Sequence, residues 1–283
     1  MMERAPGSIR IVTFNVAKNY MYLDTILENL KSSTDILFVQ EPPWQLIRHA
    51  PSASSREGEA VVGAPQHPSW MTMVRNPGND PDQRPRTLAY VSTRLAPLRP
   101  SLRRDLIDHR DLMPVSLFVE ERTINLLNVY SDDQHTAINL LAQRADDLPE
   151  FDYIGGDFNC HSREWDPRVP HHRTTAILLL ETAAKLGTEL AHVVNPGPTF
   201  KPRDRSKRPS VIDLVFVPPA ATLSAQCRRE VSLQGESDHI PLSTTLDLGT
   251  DVPVLKRRTL KQDSDEEEGF VGQITFELGL QAG

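Results

Sequence analysis

Six short segments of this 283-residue chain place polar residues where apolar runs end. Gly155-Gly156-Asp157-Phe158-Asn159 follows the run 151–154, which reads as a buried strand. A carboxylate there costs free energy unless it has a partner or a task. Strand alternation puts Asp157 and Asn159 on one face and Phe158 on the other. The two glycines permit a sharp turn or a close backbone approach. Asn15, Glu41 and Tyr130 each close an apolar run in the same way. Asp213 lies inside the apolar stretch 211–217, and Ser237-Asp238-His239 precedes another. His239 is an available donor for Asp213, because an imidazole held by a carboxylate is oriented and made more basic. If these ends converge, carboxylates, carboxamides, one His and one Tyr meet with few cations. Oxygen ligands with no Cys or His pair at zinc spacing favour Mg²⁺ or Mn²⁺. Such an ion keeps waters and binds a substrate phosphate.

The elements that must position these residues follow from hydrophobic periodicity. Strands are expected over 9–14, 36–39, 88–92, 115–119, 123–130, 211–217 and 243–248. Helices are expected over 22–30, 136–147 and 174–186, the last closed by Gly187 in the left-handed position past its end. Residues 45–86 are rich in Pro, Ser and Gly and read as loops with short strands over 60–62 and 72–74. No internal repeat is evident. Strand pairs interrupted by helices predict an α+β fold in which two packed mixed sheets are flanked by helices.

Composition bounds the rest. Hydrophobic residues make up 39%, and 23 prolines against 14 glycines suit a loop-rich protein with stiff connections. Two cysteines, Cys160 and Cys227, exclude a multi-disulfide framework and fit a reducing compartment. There is no apolar leader and no run of 18 apolar residues, so the expected setting is intracellular, nuclear or cytoplasmic, with no membrane partner. The net charge is −7. From residue 251 onward seven acids face four bases, so this segment carries −3 and residues 1–250 carry −4. The expected organisation is a body over 1–250 and a charged linker or tail over 251–283, with a segment leading into an absent domain as the alternative.

The ordered set Phe14-Asn15-Val16, Gln40-Glu41-Pro42, Asn128-Val129-Tyr130, Gly155-Gly156-Asp157-Phe158-Asn159, Ile212-Asp213-Leu214 and Ser237-Asp238-His239 resembles the endonuclease/exonuclease/phosphatase superfamily. The resemblance runs over residues 9–248 and is greatest to the endonuclease domains of non-LTR retrotransposons. It implies a four-layered, DNase I-like α/β sandwich with the site at one edge of two packed sheets. By position it implies that Glu41 is the main metal ligand, with Asn15 and Asp238 near it. Asp157 resembles the residue that orients or deprotonates the attacking water, and Asn159 and Tyr130 resemble phosphate-positioning groups. His239, paired with Asp213, resembles the group that stabilises charge on the phosphoryl oxygens.

Three departures stand out. AP endonucleases carry an acid two residues after the first Asn, where this chain has Ala17. They carry an Asn three residues after the Tyr, where it has Asp133. The Trp-Cys-Asp-Arg signature of inositol 5-phosphatases is replaced by Val211-Ile212-Asp213-Leu214. Lys201, Arg203, Arg205, Lys207 and Arg208 concentrate positive charge in one loop. The matching loop of retrotransposon endonucleases resembles a hairpin that enters a DNA groove, where cations contact phosphates. The resemblance thus implies a Mg²⁺-dependent DNA endonuclease, with a neighbouring reverse transcriptase as a possible covalent partner. A phosphatase or RNA 3′ exonuclease on the same fold, or a degenerate binding copy, is the alternative.

Overall fold

A computed structural model describes residues 7–248, except 52–55, 57, 79, 120–121, 171–172 and 205. The expected tail over 251–283 and the side chain of Arg205 lie outside the described residues. In chain order the elements are β1 (Ser8–Asn15), α1 (Tyr20–Leu30), β2 (Ile36–Gln40), β3 (Gln45–Ala50), β4 (Glu59–Gly63), β5 (Trp70–Met73), β6 (Thr87–Ser92), β7 (Ser101–Leu102), β8 (Leu112–Val119), β9 (Arg122–Tyr130), α2 (Thr136–Arg144), β10 (Tyr153–Asp157), α3 (Thr174–Lys185), β11 (Glu189–Leu190), β12 (Asp213–Val217), β13 (Arg228–Arg229) and β14 (Leu242–Asp247).

Two six-stranded sheets form the body, ordered β13-β14-β1-β2-β6-β5 and β11-β12-β10-β9-β8-β7, while β3 and β4 make a separate hairpin. Both sheets are mixed. β1 runs parallel to β2 and β9 parallel to β10. A parallel pair needs a crossover, which α1 and α2 supply. The α1 residues Leu23, Ile26, Leu27 and Leu30, at helical spacing, are buried. Asn19 caps that helix by accepting from the Tyr22 amide.

Period-two burial then sorts side chains into two cores. Leu126, Tyr153, Val215 and Val217 join the core shared with the first sheet and α1. Their neighbours Leu127, Ile154, Leu214 and Phe216 pack with α2 and α3 residues such as Ile138 and Leu179. The result is a helix, sheet, sheet, helix sandwich, as expected from the sequence. Among the described residues no helix is long and apolar enough to cross a membrane.

Several boundaries differ from expectation. The segment 45–86 contains β3, which was not foreseen because its residues are almost all exposed and leave no periodic signal. The second helix ends at Arg144 and tightens into a 3₁₀ turn over Ala145–Asp147. β12 begins at Asp213, so this carboxylate stands at a strand end and not inside one. Both glycines of the Gly155-Gly156 pair lie within β10 and make no turn. Gly156 has φ +152°, and a Cβ there would stand 1.8 Å from the Val129 carbonyl oxygen. Close approach of the neighbouring strand is the constraint that requires glycine.

One buried side chain holds the sheets in mutual register. Asn128 of β9 donates from Nδ2 to the carbonyls of Val39 (3.1 Å) and Leu88 (2.9 Å) in the opposite sheet. Its Oδ1 accepts from Gln40 Nε2 at 2.6 Å, and Gln40 also donates to Thr13 Oγ1 at 2.9 Å. Three bonds of about 1 kcal/mol each pass through Asn128. Asn128→Ala should therefore lower unfolding stability by about 3 kcal/mol, read from urea denaturation. A loss under about 1 kcal/mol would show that this clasp is dispensable.

Candidate active site

The clasp lies directly beneath a row of polar strand ends. In the second sheet Asp157 is in register with Tyr130 on one side and Asp213 on the other. In-register residues of adjacent strands share a face. From the first sheet, Asn15 ends β1 and Glu41 follows β2. Asn15 Nδ2 donates to Asp157 Oδ2 at 3.0 Å, and Tyr130 Oη donates to Glu41 Oε1 at 2.8 Å. The strand ends named from the sequence thus meet across the sheet interface.

His239 Nδ1 lies 3.0 Å from both Asp213 oxygens. Its Nε2 faces Asp157 Oδ2 at 3.9 Å, too far for a direct bond. An oxygen set beside that gap can reach both groups. Ser237 ties the segment to β1: its Oγ donates to the Asn15 carbonyl at 2.8 Å and accepts from the His239 amide at 3.0 Å. Asp157, Asp213 and His239 are all buried.

That burial governs the charges. Desolvation pushes Asp157 up to about 7; His239 works against this and Asp213 adds to it. Burial opposes charge on His239, but Asp213, Asp157 and Asp238 outweigh it and raise the imidazole to about 10. At neutral pH the site holds an imidazolium clamped by Asp213, beside a carboxyl poised to take or release a proton. Tyr130 is raised by burial and by Glu41, which keeps it a phenol donor.

The backbone is strained around this row. Ala17, Lys18, Glu41 and Asn159 have φ of +49°, +58°, +48° and +46°, a region that costs non-glycine residues energy unless neighbours impose it. Here they do. The Lys18 amide donates to the Glu41 carbonyl at 3.0 Å. The Asn159 amide donates to Asp157 Oδ1 at 3.0 Å, and its Nδ2 to the Ser131 carbonyl at 2.7 Å. Asn159 therefore comes beside Asp157 by folding back on it, because β10 has already ended and strand alternation no longer applies.

Arg86 is a site residue that sequence reasoning missed. Its guanidinium makes two bonds of 2.5 Å to buried Asp111 and one of 3.0 Å to Asp132, and lies 4.8 Å over the Tyr130 ring. Its carbonyl accepts from the Glu41 amide at 2.9 Å. Burial opposes the charge, but the two carboxylates hold the guanidinium firmly protonated. The available signal was a cation just before an apolar strand run, a mirror image of Asn15 and Glu41. Asp133, by contrast, is exposed.

Among the described residues, Asp157, Asp213 and His239 form the group of three ligating side chains whose atoms lie within 4.8 Å of one another. Asp213 and His239 already bind each other, and an imidazolium repels a cation, so that trio suits proton and anion chemistry. Oxygen donors lie nearby: Asn15 bonds Asp157, Glu41 bonds Tyr130, which is in register with Asp157, and Asp238 adds to the field at His239. A buried carboxyl raised by lack of solvation is the kind of group a cation relieves. The residues therefore fit a hard divalent ion.

The basic loop starts at this site. Phe200 and Ser210 pair in both directions at 2.9 and 3.0 Å, which makes the loop between them a hairpin. Phe200 also bridges His239, with ring centroids 4.9 Å apart. Lys201, Arg203, Lys207 and Arg208 are exposed on this hairpin.

Comparison with known proteins agrees with this fold. Residues 124–243 match the family model described as endonuclease-reverse transcriptase. Among solved structures, the endonuclease domain of TRAS1, a telomere-specific non-LTR retrotransposon, is similar with a TM-score of 0.56 at 16% identity. The match covers 86% of this chain and 100% of that one. AP endonuclease LMAP from Leishmania major is similar with a TM-score of 0.53 at 15% identity, over 85% of this chain and 88% of that one. No protein of curated function matches the sequence.

Removing Arg86 tests the network beneath Tyr130. Arg86→Ala strips buried Asp111 of its two hydrogen bonds and leaves it only Arg110 and His109, each 3.7 Å away, so it should lower stability by about 3 kcal/mol. Arg86→Ala with Asp111→Ala should cost less than the sum of the single changes, measured by a denaturation cycle. Additive costs would mean the pair is not coupled.

Proposed function

We propose, from the premise that this chain has the endonuclease/exonuclease/phosphatase fold and resembles retrotransposon endonucleases, that it is a divalent-metal-dependent DNA endonuclease. The observation that carries this is the Asp157–His239–Asp213 row, set at the seam of the two sheets beside Glu41 and Asn15. The match to an endonuclease-reverse transcriptase model over residues 124–243, which include Asp157, Asp213 and His239, supports the retroelement type.

Hydrolysis of a phosphodiester breaks one P–O bond and one O–H bond of water. Asp157 takes the water proton, for which a pKa near 7 suits neutral conditions. Asn159 and Asn15 hold Asp157 in place through its two oxygens. The imidazolium Nε2 of His239 donates to a non-bridging oxygen as charge builds there. Asp213 keeps that ring charged and oriented. The leaving oxygen regains a proton from solvent or from His239. Glu41, Asn15 and Asp238 would hold Mg²⁺ or Mn²⁺, which supplies positive charge to the phosphate when bound. The Tyr130 hydroxyl orients Glu41.

The test is nicking of supercoiled plasmid. Activity should require Mg²⁺ or Mn²⁺ and vanish in EDTA. Asp157→Asn and His239→Ala should each lose at least about 10²-fold in rate, and Glu41→Gln should need more Mg²⁺. Undiminished nicking by His239→Ala would sink the assignment. Faster turnover of a phosphomonoester or of poly(A) than of duplex DNA would redirect it to the phosphatase or exonuclease alternative.

A further inference from the structure

A cleft of about 580 Å³ opens from the Glu41 side of the site, away from the basic hairpin, and is lined by Glu41, Tyr130, Lys18, Trp44, Arg84 and Arg110 among others. Its size lies within the range of sites that hold a small ligand, about 300–1,000 Å³. Its walls are stiff. Pro43 and Pro85 are buried in them, and Trp44 Nε1 donates to the Pro85 carbonyl at 2.9 Å, which fixes the indole. Its charge is mainly positive. Arg86, also on the wall, is committed to Asp111 and Asp132. Arg84 is not so committed: its Nε is buried with no hydrogen-bond partner. A buried guanidinium N–H left unpaired is costly and calls for an acceptor.

An aromatic plane, a guanidinium in want of an acceptor and further cations, placed against the reacting site, are what a nucleotide needs: stacking for the base and charge for the phosphate. We propose that this cleft is a nucleotide subsite. Arg84 binds a backbone phosphate next to the scissile one, and Trp44 stacks on the adjoining base. Lys18, which is exposed on the loop after β1, adds charge at the rim. This rests on the nuclease function above. With the hairpin over 200–210 on the His239 side, the substrate strand would be gripped on both sides of the bond that breaks.

Binding of a fluorescein-labelled duplex of about 20 base pairs tests it, read by anisotropy in the inactive His239→Ala protein with Mg²⁺. Adding Arg84→Ala should weaken binding about tenfold and lower the slope of log affinity against log salt by about one, the mark of one lost phosphate contact. Trp44→Ala should weaken binding with an unchanged slope, because stacking releases no counterion. Arg84→Lys should restore the slope. Arg84→Ala binding as tightly and as steeply as its parent overturns the subsite. So does a Trp44→Ala slope reduced as much as that of Arg84→Ala, since both losses would then reflect a disturbed loop. If the parent binds no duplex at all, the nuclease assignment fails and the subsite with it.

Discussion

The structure depends on the contact between two sheets at one edge, where Asn128 of the second sheet bonds to the backbone and to Gln40 of the first. Packing between apolar sheet faces is non-directional, so alone it allows small slides of one sheet over the other. A buried carboxamide with fixed partners does not, because a slide would leave several polar groups unpaired. Two residues beyond Asn128 stands Tyr130, and one beyond Gln40 stands Glu41. The bond between these two, and that from Asn15 to Asp157, form only in this register.

Above the clasp the chemistry is a matter of burial. Asp157, Asp213 and His239 would cost free energy singly. Together they share one imidazolium and leave one carboxyl uncompensated. Desolvation of that carboxyl, with Asp213 beside it, raises the Asp157 pKa and makes the site receptive to a cation. The strained residues around it, Glu41 and Asn159 above all, are held by hydrogen bonds to their own neighbours. The side chains are therefore aimed before any substrate arrives.

Not all elements were equally legible. α1 and β9 carried clear periodicity, since each buries a face or a whole strand. β3 carried none because its residues point to solvent. Asp213 was read inside a strand because the residues before it, Val211 and Ile212, are apolar, although β12 starts only at Asp213. The glycine pair suggested a turn, but turn and close approach ask the same thing of a residue, and only the neighbouring Val129 carbonyl distinguishes them.

The sequence by itself determined which strand ends carry polar residues, that they are oxygen donors with one histidine, and that the layers are sheets with helices outside. Those properties are local, set by residue type and period along the chain. The sequence already paired Asp213 with His239; only the tertiary structure showed that Asn15 steadies Asp157. It alone brought in Arg86, and it opened a cleft with Trp44 and Arg84 beside Glu41. Each of these joins residues distant in sequence, so their distance and desolvation exist only once the two sheets have closed on each other.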